Sequence, residues 1–288
     1  MATKPAPTAR RLRLGSELRR LRDRAGLTST AAGELLGMRP GPISNIETAR
    51  FGVSGDRVRA MASAYGCRDE AFITALADMA QERTRGWWEE YQGILPAGLL
   101  DLAEFEHHAI GFRTVHTAHV PGLLQTAEHA REIYRQAVPS FSPPEVEHRV
   151  SHRIKRQTIL YRDAPVPYRA IIHEAALRMR FGGAVVAQAQ LRHLLELSEM
   201  AHVTIRVIPF ALGSFPGSGQ TACYGYGAVP QLDTVQLDQA HGVTFIDTEA
   251  QLTQYRLLFE RLDAVALAET ESRDFIHRIA ESLRKEAP

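Results

Sequence analysis

Long apolar runs are missing from this 288-residue chain: no stretch of eighteen occurs, so no segment reads as a membrane-spanning helix. Cysteine is nearly missing. Cys67 and Cys223 are the only two, far apart and too few for a disulfide framework, which points to a reduced, cytoplasmic protein. The opening residues, MATKPAPTARR, have no apolar segment of the kind a secretory signal needs. Excess charge is lacking as well. A net charge of +1 argues against a nonspecific polyanion binder. No Cys-x-x-Cys pair exists for zinc.

What is there is a 44% apolar composition, enough for one or two buried cores, and an uneven division of charge. Residues 1–86 hold 15 Lys/Arg against 9 Asp/Glu, a net of +6, which leaves −5 for the remainder. A basic half beside an acidic one is a hint of nucleic-acid contact in the basic half.

The stretch LTSTAAGELLGMRPGPISNIE, residues 27–47, organises that basic half. Thr28 is a hydroxyl N-cap, and Ala31, Ala32, Leu35 and Leu36 form an apolar stripe at helical spacing. Gly37 supplies the positive φ that ends this helix. Pro40 opens a second helix at a first-turn position where a missing N–H costs nothing. Ile43 and Ile46 face inward, leaving Arg39, Pro40, Gly41, Ser44 and Asn45 on one outward edge. Gly33 falls where the two helices would cross. Together these features predict a helix-turn-helix, whose second helix enters the DNA major groove.

On these residues, 12–83 resembles the lambda-repressor-like, or XRE-type, helix-turn-helix domain, an all-α five-helix unit. The resemblance includes the Ile43-x-x-Ile46-Glu47 ending of the recognition helix. It implies that Arg22 pairs with Glu47. Two departures stand out: Arg39 occupies a turn position that is usually Ser or Thr, and the helix opens on Pro40-Gly41-Pro42 instead of polar residues. Base reading is therefore expected to rest on Arg39, Ser44 and Asn45, and phosphate contacts on Arg19, Arg20, Thr28, Ser29 and Arg50.

Around this unit, residues 1–11 are rich in Pro, Ala and Thr and read as a disordered arm; 84–90 read as a linker. Helix 1 is expected from Leu12, with Leu14, Leu18 and Leu21 inward. Helices 4 and 5 follow Ser54 and Asp69 as caps, and Tyr65, Phe72 and Phe51 read as core residues. Residues 91–288 alternate helical and strand-like patterns: strands near 112–118, 168–173, 203–209, 222–228, 234–237 and 243–247, with helices between and after them. The expectation is an α+β regulatory and dimerisation domain with a small sheet, about five strands, covered by helices. Val120-Pro-Gly-Leu-Leu-Gln-Thr, His173-Glu-Ala-Ala-Leu-Arg with Gly182-Gly183, Gln190-Leu, Val207-Ile-Pro-Phe with Gly213, and Glu271-Ser-Arg resemble, in order, the C-terminal domain of WhiJ-like actinobacterial regulators. That resemblance implies a transcriptional regulator, often paired with a small partner protein in an antitoxin-like arrangement.

Catalytic chemistry is poorly represented. His148 and His152 are spaced i, i+4, but Arg149 stands where a zincin motif needs Glu. Gly213-Ser-Phe-Pro-Gly-Ser-Gly lacks the Gly-Lys-Ser/Thr of a P-loop and reads as a loop between strands, a rim of a pocket. Glu174 beside His173 has the make-up of an acid/base pair without a nucleophile. The sequence thus predicts no enzyme, no metal site and no cofactor. It predicts a homodimeric regulator of double-stranded DNA with recognition helices about 34 Å apart, taking a protein or small-molecule signal. The alternative is an antitoxin-like interaction module that binds a small partner protein and regulates itself.

Overall fold

The computed structural model describes residues 6–82, 85–217, 219–239 and 242–286. The chain divides into two compact units, Met1–Glu90 and Tyr91–Pro288. The first is five helices: α1 (Ala9–Arg24), α2 (Ser29–Leu35), α3 (Pro40–Glu47), α4 (Gly55–Ala64) and α5 (Glu70–Gln81). Side-chain oxygens start four of them. Thr8, Thr28, Ser54 and Asp69 accept from the backbone N–H three residues on, satisfying a donor the helix itself cannot. Gly37, at φ +61°, makes the turn into α3. Leu18, Ala32, Ile43, Val58, Met61 and Leu76 meet fully buried at the centre.

Three expectations need correcting. Helix 1 begins at Ala9 instead of Leu12, because Thr8 caps it, so part of the expected arm is helical; residues 1–5 of that arm and 83–84 lie outside the described residues. Leu35 is 60% exposed. With Ala32 as the buried anchor of the short α2, the residue one turn on is Leu36, and Leu35 falls off the stripe. Phe51 is 53% exposed instead of core. It follows the turn after α3, where Ala49 adopts φ +56°.

The second unit is α+β, with a sheet of six strands instead of five. β1 (Gly111–His116), β2 (Tyr168–His173) and β3 (Val203–Ile208) are parallel; β4 (Ala222–Tyr226), β5 (Thr234–Gln239) and β6 (Gly242–Ile246) run antiparallel in turn, in the order β3-β2-β1-β4-β5-β6. Around it lie α6 (Ala97–His108), α7 (Ala127–Arg135), α8 (Pro143–Arg156), α9 (Glu174–Arg178), α10 (Gly183–Leu197), α11 (Glu249–Val265) and α12 (Glu269–Glu286). Side-chain alternation along the strands sorts two cores. On β2, Ala170 and Ile172 pack with Leu191, Leu194, Ile276 and Ile279 of α10 and α12. Ile171 points the other way, with Tyr224, Leu252, Phe259 and Leu262. The helix α8 stops at Arg156 and tightens into a 3-10 turn, Gln157–Leu160.

Two histidines are buried in this unit. His129 is 2% exposed, and neither ring nitrogen has a hydrogen-bond partner among the described residues; His152 is 1% exposed and packs edge-on to the Tyr91 ring at 5.1 Å. Burial pushes their pKa values from the ordinary 6.5 down to about 4 and about 3. The unfolded chain therefore takes up these protons first as pH falls. The second unit should lose stability from about pH 6.5 down to the folded-state values, by at most ~1.4 kcal/mol per pH unit and histidine, and no further below them. Urea midpoints of the full chain between pH 4 and 8, compared with those of His129→Met, check this. A slope identical in the variant counts against it.

Candidate nucleic-acid interface

The placement of α3 is set by α1. Gly15 of α1 faces the last turn of α3 so closely that a Cβ there would lie 2.8 Å from the Glu47 carbonyl carbon and 2.9 Å from the Ile46 oxygen. From the same helix, Arg22 clamps Glu47 in a two-pronged ion pair, Nε–Oε1 2.6 Å and Nη2–Oε2 3.0 Å, and its Nη1 donates to the Leu27 carbonyl at 2.6 Å. Both partners are buried, at 7% and 8% exposure. The Glu47 hydrogen bond holds the guanidinium pKa above its ordinary value. One arginine thus ties α1 to the end of α3 and to the loop entering α2.

Glu47 is the only carboxylate on α3, and Arg22 consumes it. The exposed edge of the helix is therefore free of negative charge and begins with the cation of Arg39. Arg39 and Ser44 are exposed and Asn45 is half-buried. None of the three side chains has a hydrogen-bond or ion-pair partner among the described residues. Arg39 is the N-cap residue but supplies no side-chain cap, so α3 starts on Pro40 alone.

The expected phosphate contacts differ in exposure. Thr28 is exposed; its hydroxyl oxygen caps Ala31 at 3.1 Å, while the hydroxyl hydrogen remains available to donate. Ser29 is half-buried at the first position of α2. Arg50 is exposed, presented by the turn at Ala49. Arg19 is exposed and lies 3.6 Å from Asp23 one turn along α1. Arg20 is half-buried and bonds Glu17, which also accepts from Arg13 Nε at 2.7 Å. Sequence reasoning missed two residues here, Gly15 and the 5%-exposed Glu17. Glu17 carried a signal in its i−4 and i+3 arginines; Gly15 carried none beyond being a glycine inside a helix.

Residues 13–73 match the Helix-turn-helix domain family, and residues 99–278 match the family described as Domain of unknown function (DUF5753). The second match spans more than half of the chain. The chain belongs to the DUF5753 family. No curated protein and no solved structure matches it.

Inside the DUF5753 domain the residues singled out from the sequence are occupied structurally. Glu174 is buried, with one oxygen accepting from Arg178 Nε at 2.6 Å and the other from the Phe210 N–H at 2.7 Å. His173 Nδ1 accepts from the Ala175 N–H, and its ring sits between Phe210 and Phe215, 5.1 Å from each. The Val120–Thr126 segment of the DUF5753 match is held by glutamines: Gln190 donates to the Leu124 carbonyl and accepts from the Thr126 N–H, and Gln157 donates to Gln125. Beneath it, Arg156 and Glu106 form a buried ion pair with both bonds at 2.6 Å. His148 is exposed whereas His152 is buried, and no group of three metal-ligating side chains occurs among the described residues.

Proposed function

We propose that the chain is a sequence-specific DNA-binding transcriptional regulator. The observation that carries this reading is the exposed edge of α3. It is free of carboxylate, begins with Arg39, offers unpartnered Ser44 and Asn45, and is backed by the Arg22–Glu47 clamp. Such an edge suits a major groove lined by acceptors and flanked by phosphates. Arg39, Ser44 and Asn45 read base edges; Arg19, Arg20, Thr28, Ser29 and Arg50 position the unit on phosphates. Two copies in a homodimer place their α3 helices about 34 Å apart, one turn of duplex. The DUF5753 domain receives the controlling signal.

Genomic footprinting with the purified full chain tests the reading, followed by titration of the recovered site. Asn45→Ala should cost about 1–3 kcal/mol on that site and relax the preference at one base pair. Arg50→Ala should weaken all sequences alike and reduce the salt slope by about one. An unchanged footprint in Asn45→Ala, or a base-selective loss in Arg50→Ala, contradicts the assignments. A second reading, an antitoxin-like module for a small partner protein, rests on resemblance alone. It predicts that the partner copurifies with the chain before any DNA is added.

A further inference from the structure

The order of the sheet singles out one place. From β1 the chain steps to β2 and then β3 on one side; it then crosses back to β4 on the other side of β1. In open parallel sheets, ligands sit in the crevice beyond the carboxyl ends of the strands at such a reversal; here β4, across the reversal, is antiparallel, so β1 alone presents its carboxyl end there. Near that end of β1 lies a strap, residues 213–217 and 219–220 of the connection from β3 to β4, pinned by the Thr117 hydroxyl donating to the Gly219 carbonyl at 2.8 Å.

A cleft of about 210 Å³ lies between this strap and α11. Val115 from the end of β1, Phe215 from the strap and Leu258 from α11 line it with apolar surface, and no charged side chain reaches it. Three residues with polar ends also line it, the exposed Gln220 and Gln254 and the half-buried Tyr255. None of these side chains has a hydrogen-bond partner among the described residues. Apolar walls with a few unspent hydrogen-bonding groups are the make-up of a small-molecule site.

We propose that the DUF5753 domain binds a small, uncharged, mostly apolar molecule in this cleft, held by its apolar body against Val115, Phe215 and Leu258 and oriented by one or two hydrogen bonds to Gln220, Gln254 or Tyr255. The chemistry sets the class. Without a counter-charge in the lining, an ion would lose its hydration uncompensated. The volume, below the about 300 Å³ at which drug-sized pockets begin, admits only a compact ligand. The strap is fitted to the wall: a Cβ on Gly217, at φ +91°, would lie 2.8 Å from Leu258 Cδ1. A glycine there lets the strap approach α11 without displacing that side chain.

The test is a methyl-resolved NMR titration of the full chain with phenol, a neutral ring with one hydroxyl, and with benzoate as the charged counterpart. Phenol should give saturable shifts centred on the Val115 and Leu258 methyls, and benzoate should bind at least tenfold more weakly. Leu258→Trp, which fills the cleft, should abolish the phenol shifts. Gln254→Trp, at an exposed rim position, serves the same end should the core variant fail to fold. No saturable shift, equal binding of benzoate, or phenol shifts that persist in a folded blocking variant overturns the proposal. That an occupant alters DNA affinity rests on the regulatory reading above. The titration contains no DNA, so the cleft and that reading stand or fall separately.

Discussion

Glu47→Ala should lower the stability of the first unit by about 3–5 kcal/mol, the cost of leaving one member of a buried ion pair without the other. Arg22 is 7% exposed and loses both bonds to Glu47, keeping the one to the Leu27 carbonyl and an ion pair of Nη1 with the more exposed Asp23 at 2.8 Å. Because the same arginine joins α1, the α2 entry and α3, the loss reaches the helix proposed to read DNA. Hydrogen exchange across the α1 and α3 amides of the full chain resolves the effect from the second unit. A local readout accompanies it. Burial, and after it the Glu47 charge, push the Tyr65 hydroxyl pKa up to about 12, so removing Glu47 should bring it down. The double variant Arg22→Met/Glu47→Leu should recover most of the stability, since an apolar pair of similar volume avoids the desolvation of two ions. Unchanged protection in Glu47→Ala would show that the clamp contributes nothing.

The second large effect is expected at Gly15. Alanine is the better helix former by about 1 kcal/mol, and in an exposed helix Gly→Ala would stabilise. Here the added methyl meets the Glu47 and Ile46 backbone, with the Glu47 oxygen nearest of all. Backbone cannot rotate away as a side chain can, so α1 and α3 must part. Forcing a methyl into a filled contact costs about 1–3 kcal/mol, against which the propensity gain is too small. Gly15→Ala should therefore lower the urea midpoint and weaken DNA binding together. Gly41→Ala is the control. A Cβ there meets nothing within 4 Å, so stability should hold. If both alanines behave alike, the close approach of α1 to α3 does not govern this unit.

Much of the architecture was legible in local signals. The caps Thr28, Ser54 and Asp69, the turn at Gly37 and the six strand segments are properties of a few adjacent residues, and the structure places them within a residue or two of expectation, apart from the longer ends of some strands. The Arg22–Glu47 pair was legible only through resemblance, because nothing in a spacing of 25 residues says that two side chains meet. Phe51 and Leu35 looked like core residues by type, and both lie at the surface, because residue type states a preference whereas the turn at Ala49 and the phase of a seven-residue helix decide the direction.

By itself, the sequence determined which segments form helices and strands, which face of α3 carries polar groups, and that the basic charge lies in the first 86 residues. Capping, φ preference and hydrophobic period act over a turn or two of chain and need no partner. The tertiary structure alone decided that Gly15 is the contact point of α1 with α3, that Glu174 is spent on Arg178 and the Phe210 N–H, and that the strand order reverses at β1, with a cleft between the strap before β4 and α11. Each of these depends on groups far apart in sequence meeting in space, and only the completed packing brings them together.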